Sequence, residues 1–146
     1  MKELAIRPAV PEDKTELTNL LQQSDLPVED LTENLHGFLV GVVDGQIVGT
    51  VGIEAYQKWG LLRSLAVTAD FQSRQIGSRL YEAALELARS KGIENLYLLT
   101  TTASEYFARK GFHEVCRKDV PAAIRATQQF SRICPDSAIV MHKALL

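Results

Sequence analysis

Between Leu61 and Leu85 the chain passes from an apolar strand, through a polar turn, into an amphipathic helix. Leu61-Leu-Arg-Ser-Leu-Ala-Val67 has the length and apolar content of a buried strand. Thr-Ala-Asp-Phe and Gln72-Ser-Arg-Gln-Ile-Gly-Ser78 follow as the turn. From Gly77 to Lys91, Leu80, Ala84, Leu87 and Ala88 recur on one helical face, and Gly92 ends the helix. A helix start reached this way gathers unpaired backbone N–H groups and the positive end of the helix dipole at one point. Gly77 leaves the backbone approachable, and Arg74 and Arg79 add positive charge nearby. Such a point suits a pyrophosphate. The same residues also fit a plain strand–loop–helix connection whose glycine only shapes the turn.

The rest of the pattern narrows the architecture. Leu4 to Arg7 reads as a short strand, and Pro11-Glu12-Asp13 opens a helix that buries Leu17, Leu20 and Leu21. Pro27 breaks the chain, and Val28 to Leu35 is expected as a second short helix. Phe38 to Val43 and Ile47 to Ile53 flank Asp44-Gly45, a strong hairpin signal. Leu96 to Thr100 is an apolar strand, and Ala103 to Lys110 a short helix closed by Gly111. Phe112 to Cys116 and Ala138 to Leu145 read as the last strands, with a helix starting at Pro121 between them. An antiparallel meander combined with crossover helices gives an α/β or α+β class around one mixed sheet.

At 146 residues the chain suits one domain with one sizeable core. The net charge of −2 argues against a general nucleic-acid binder or a binder of anionic membranes, both of which need a basic surface. No apolar run is long enough to span a bilayer, and Met1 to Arg7 lacks the apolar stretch of a signal peptide, so a cytoplasmic setting is expected. Cys116 and Cys134 lack metal-motif spacing and are expected as free thiols. No metal site is assigned to the pair.

The turn resembles the acetyl-CoA signature of the GNAT superfamily of N-acetyltransferases: Gln or Arg, two residues, Gly, one residue, then Gly or Ala. Gln72 fills the first position and Gly77 the last, while Gln75 stands where the first glycine usually is. Leu96 to Thr101 and Ala103 to Phe112 resemble the following strand and helix of the family, in the same order. Gly60 to Val67, Leu96 to Ala103 and Cys134 to Ala138 further resemble the arsenic-resistance-associated N-acetyltransferases. The first two of these segments, with Ser137 to Met141, are also similar to the acetyltransferase domain of N-acetylglutamate synthases.

The resemblance implies a single GNAT domain over residues 1–146, with a mixed, mostly antiparallel sheet of roughly six to seven strands, flanking helices and a splayed acetyl-CoA cleft. It implies acetyl-CoA as co-substrate, no metal, and a small amino-acid-like amine as acceptor. A homodimer through the edge strands is compatible with it. Backbone groups of Leu65, Ala66 and Val67 would face the pantetheine arm, as a peptide pairs at a sheet edge. Gln72, Ser73, Arg74, Gln75, Ile76, Gly77 and Ser78 would cradle the pyrophosphate. A lysine or N-terminal protein acetyltransferase and a non-catalytic acetyl-CoA-binding module are the competing readings.

Acetyl transfer to an amine needs a neutral amine, a polarised thioester and a proton for the leaving thiolate. Glu54, near the end of the strand beside the cofactor strand, is the candidate base, although a surface glutamate at a strand end fits equally. Many GNAT enzymes carry a tyrosine donor four residues before the glycine of the Gly-Phe pair. Here that position is Phe107, expected beside the cofactor. Tyr106 lies one residue earlier, turned about 100° away, and is expected to pack elsewhere. Strand alternation is expected to send Arg63 and Ser64 to opposite faces, one of them toward the acceptor. Arg63 suits a substrate carboxylate, and Thr100 can meet pantetheine or substrate. His113 and His142 are expected as ordinary surface residues.

Overall fold

The computed structural model describes residues 3–26, 28, 31, 35–72, 75–127, 130 and 138–145. Among these residues there are seven strands: β1 (Ala5–Pro8), β2 (Phe38–Val43), β3 (Gln46–Tyr56), β4 (Trp59–Val67), β5 (Asn95–Thr100), β6 (His113–Glu114) and β7 (Ile139–Ala144). Helices α1 (Lys14–Gln23), α2 (Ile76–Ser90), α3 (Ser104–Arg109) and α4 (Ala122–Arg125) connect or cover them. One sheet results, in the order β1-β2-β3-β4-β5-β7-β6. The β4–β5 pairing, spanned by α2, is parallel and the others are antiparallel. The expected second helix falls largely outside the described residues, and the last strands are shorter than the apolar runs suggested.

The hairpin forms where Asp44-Gly45 directs it. Asp44 has φ 55° and Gly45 φ 74°, the left-handed pair of a type I′ turn, and Val43 faces Gln46 across it. On one face of the sheet, α2 buries Ile76, Leu80, Tyr81, Ala84, Leu85 and Ala88 against Val48, Leu62, Leu96 and Leu98. Leu87 stands only at the margin of this core. The helix lies so close to β3 that a Cβ on Gly49 would come within 2.7 Å of Leu80 Cδ1. On the other face, α1 presses Leu17, Leu20 and Leu21 onto Phe38, Val40, Ile47 and Ala66. Farther along that face, Val120 and Ile124 cover Leu61, Tyr97 and Val140.

Of the two histidines on the last strands, His142 departs from expectation. His142 is half-buried, 2.8 Å from Asn95 Oδ1, with its ring 4.8 Å from Tyr97. Only His113, whose ring lies 5.3 Å away across the β6–β7 pair, is exposed. Burial, then the neighbouring His113, holds the His142 imidazole below its ordinary pKa. Below about pH 6.5 an unfolded histidine takes up a proton that the folded His142 resists, so this contribution is complete above that pH and is lost as pH falls through the folded value. The urea midpoint is expected to fall between pH 7.5 and pH 5, and His142→Gln to shrink that fall. An equal pH dependence in both proteins would remove His142 as its cause.

Candidate active site

The centre of the sheet opens where the β4–β5 pairing ends beside a bulge in β4. Registered β4–β5 pairs run from Trp59↔Asn95 to Leu61↔Tyr97 and stop there. Just beyond, β4 carries a bulge: Gly52 pairs with Arg63 and Thr50 with Ala66, so the pairing register shifts between them. Ser64 sits at the bulge with φ 60°, a left-handed conformation that non-glycine residues seldom adopt within a strand. The strands part into a cleft of about 740 Å³. Its walls include Leu65 and Val67 of β4, Thr100 at the end of β5, Gly77 of α2, and Tyr106 and Phe107 of α3.

The bulge also overrides alternation. Arg63 and Ser64 do not diverge, because Arg63 Nε donates to Ser64 Oγ at 3.0 Å. Both are buried and both line the cleft. Arg63 Nη1 donates to Glu54 Oε2 at 2.8 Å, and the guanidinium lies 5.5 Å from the Phe38 ring. Tyr56 donates its hydroxyl to the other Glu54 oxygen. Glu54 is thus no loose carboxylate at a strand end. It anchors an ion pair whose arginine side chain is 2% exposed and whose glutamate is 25% exposed. Tyr56 escaped the sequence reading, although the two-residue spacing from Glu54 puts both on one face of β3.

At the turn, Gln75 takes φ 60° and ψ 18°, the left-handed shape that a glycine adopts freely. The backbone form of the motif therefore survives the missing glycine, at a strain of about 1 kcal/mol. Gln72 Nε2 donates to Val67 O at 3.0 Å and ties the turn to the end of β4. Ile76 turns its side chain into the core, so only its backbone can face a ligand. Ala66 likewise gives its side chain to the α1 face. Gly77 has room: an added Cβ would meet only Val67 Cγ2 at 3.7 Å and Tyr106 Oη at 3.8 Å. Ser73 and Arg74 lie outside the described residues.

Phe107 is buried and packs edge-on against Tyr106 and Phe112. Tyr106 does not pack away from the cleft as expected. The helical turn does separate the two rings, which stand at 87° to each other, but both line the cleft. Tyr106 Oη is buried beside the first turn of α2 without a hydrogen-bond partner among the described residues. A hydroxyl left so costs about 1–3 kcal/mol. Thr100 lines the cleft but also serves the fold, since its Oγ1 accepts from Ala103 N at 2.9 Å just before α3 begins.

A free strand edge, a helix start with an approachable glycine and an unsatisfied hydroxyl fit an extended ligand ending in phosphates, and acetyl-CoA is such a ligand. Among the described residues no group of three or more His, Cys, Asp or Glu side chains is arranged to hold a metal, and no helix is long and apolar enough to cross a membrane.

The sheet, split beside a helix start, is the architecture of an acetyl-CoA-type acyltransferase domain. The profile of the acetyltransferase (GNAT) family matches residues 2–116, and the chain belongs to that family. The uncharacterized N-acetyltransferase CT2212 of Chlorobaculum tepidum is 33% identical over 98 residues, covering 66% of this chain and 63% of that protein. An amino-acid acetyltransferase of Mannheimia succiniciproducens is 28% identical over 123 residues, which is 80% of this chain but 28% of that protein. This chain therefore spans less than two thirds of either relative. N-acetylglutamate synthase from Neisseria gonorrhoeae, solved with coenzyme A and N-acetyl-glutamate, superposes with a TM-score of 0.85 at 22% identity, over 99% of this chain and 35% of that one. The GNAT fold expected from the sequence is thus the fold observed, with seven strands.

Proposed function

We propose that the protein transfers an acetyl group from acetyl-CoA to the amine of a small amino-acid-like acceptor. The observation that carries this reading is the parting of β4 from β5 at the Ser64 bulge, directly beside the start of α2. Acetyl-CoA supplies the activated acyl group as a thioester. The free edge of β4, at Leu65 and Val67, binds its pantetheine arm, and the N–H groups from Ile76 to Ser78 bind its pyrophosphate. Arg63 and Ser64 form the floor on which the acceptor is aligned. Glu54 takes the ammonium proton through water, since its side chain stays partly open to solvent while two partners fix it. Phe107 offers no proton to the leaving thiolate.

Similarity to amino-acid acetyltransferases and to the N-acetylglutamate synthase fold supports the acceptor class. A role in arsenic resistance rests on sequence resemblance alone, with Cys116 exposed and Cys134 outside the described residues. A cytoplasmic setting and pairing with a second copy belong to the same proposal. Release of free CoA thiol, followed with a panel of amino acids and peptides, tests the reading. Release with a free amino acid is expected. Release with peptides alone would make the protein a protein acetyltransferase, and tight CoA binding with no acceptor would make it a binding module.

A further inference from the structure

On the acetyl-CoA reading the turn binds phosphates through backbone groups, with Arg79 four residues into α2. A further positive charge arrives from another element. Lys110 follows α3, and its Nζ donates to Ser78 Oγ at 3.0 Å. The ammonium lies 5.4 Å from the Tyr81 ring centroid and 5.6 Å from that of Tyr106. Lys143 Nζ donates to Lys110 O at 2.8 Å and stands 5.8 Å from the Tyr81 ring, which fixes the backbone from which Lys110 reaches. Among the described residues neither lysine has a carboxylate within ion-pair distance, and the first turn of α2 has no acidic residue.

We propose that Lys110 is a phosphate ligand of this site, its ammonium neutralising the pyrophosphate of acetyl-CoA seated on the first turn of α2. The proposal rests on the acetyl-CoA reading above and adds to it a residue outside the signature. Ser78 Oγ accepts from Lys110 and keeps its own proton to donate, so the pair can pass one charge-assisted contact on to a phosphate oxygen. Two aromatic rings confine the ammonium before any ligand arrives, so little side-chain freedom is lost on binding. The unsatisfied Tyr106 hydroxyl beside Gly77 marks the same few ångströms as polar ground that the protein alone does not complete.

Calorimetric titration of the whole protein with CoA and with 3′-dephospho-CoA tests this, beside turnover of S-acetylpantetheine, which lacks the phosphates. Lys110→Met keeps an apolar stem between the rings. It is expected to weaken CoA and dephospho-CoA equally, about tenfold, which is the scale of one charge-assisted hydrogen bond. The salt dependence of binding should flatten, the unliganded melting temperature should hold, and turnover of S-acetylpantetheine should not change. Lys110→Arg should retain most of the affinity. Unchanged CoA affinity in Lys110→Met would overturn the proposal, as would a loss confined to CoA, which would move the contact to the 3′-phosphate. An equal loss with S-acetylpantetheine would reduce Lys110 to a structural part. A wild-type protein that binds no CoA would instead overturn the functional reading itself.

Discussion

Glu54→Ala is expected to destabilise the protein by about 3 kcal/mol and to abolish turnover, because it takes a carboxylate partner from Arg63 in a nearly dry setting. Removing one member of a buried pair leaves the other's charge less well compensated. The partial exposure of Glu54 sets the expectation at the lower end of the usual range. The double variant Glu54→Gln/Arg63→Met removes both charges while keeping much of the volume. Stability should largely return, since neutral replacements of buried pairs are often tolerated. Turnover should not return. Urea denaturation and thiol release on the three proteins check both halves. A single variant as stable as wild type would show that the pair does not hold the strands, and an active double variant would exclude Glu54 as the base.

Gly77→Asp should separate stability from binding in the opposite sense. The position tolerates a Cβ at ordinary contact distances, and the first turn of α2 lacks an acid. A carboxylate there favours the helix dipole by about 0.5 kcal/mol, so the unliganded protein should melt no lower than wild type. The same charge faces the ligand phosphates, and juxtaposed like charges cost several kcal/mol. CoA affinity should therefore fall by about a hundredfold or more. Thermal melting and CoA titration give the two readouts. Undiminished affinity would remove the α2 start from the phosphate site, and a lowered melting temperature would mean that the fold itself needs the glycine.

Local chemistry made most of the framework legible. Asp44-Gly45 dictated its turn, the spacing of Leu80, Ala84 and Ala88 dictated the face of α2, and the strand-to-helix passage located the cleft. The site was legible by element and less so by side chain. Alternation misdirected Arg63 and Ser64 because a bulge resets the period of two, and no sequence signal announced a serine in the left-handed region. Gln75 looked like a defect in the motif but adopts the glycine conformation. Tyr106 was misplaced and Lys110 missed because their surroundings come from α2, a partner distant in sequence. His142 read as surface because Asn95 and Tyr97, which enclose it, belong to another strand.

The early end of the β4–β5 pairing gives the sheet a mechanical seam. Strands β1 to β4 form one plate and β5 to β7 another, joined edge to edge by only three registered residue pairs. The α2 core spans both plates, with Leu62 on one and Leu96 and Leu98 on the other. The width of the opening is therefore set by the angle at which the plates meet, with α2 as the brace that fixes it. Repacking at Leu80 or Leu96, neither of which lines the cleft, would tilt the plates and change how firmly the free edge of β4 grips an extended ligand.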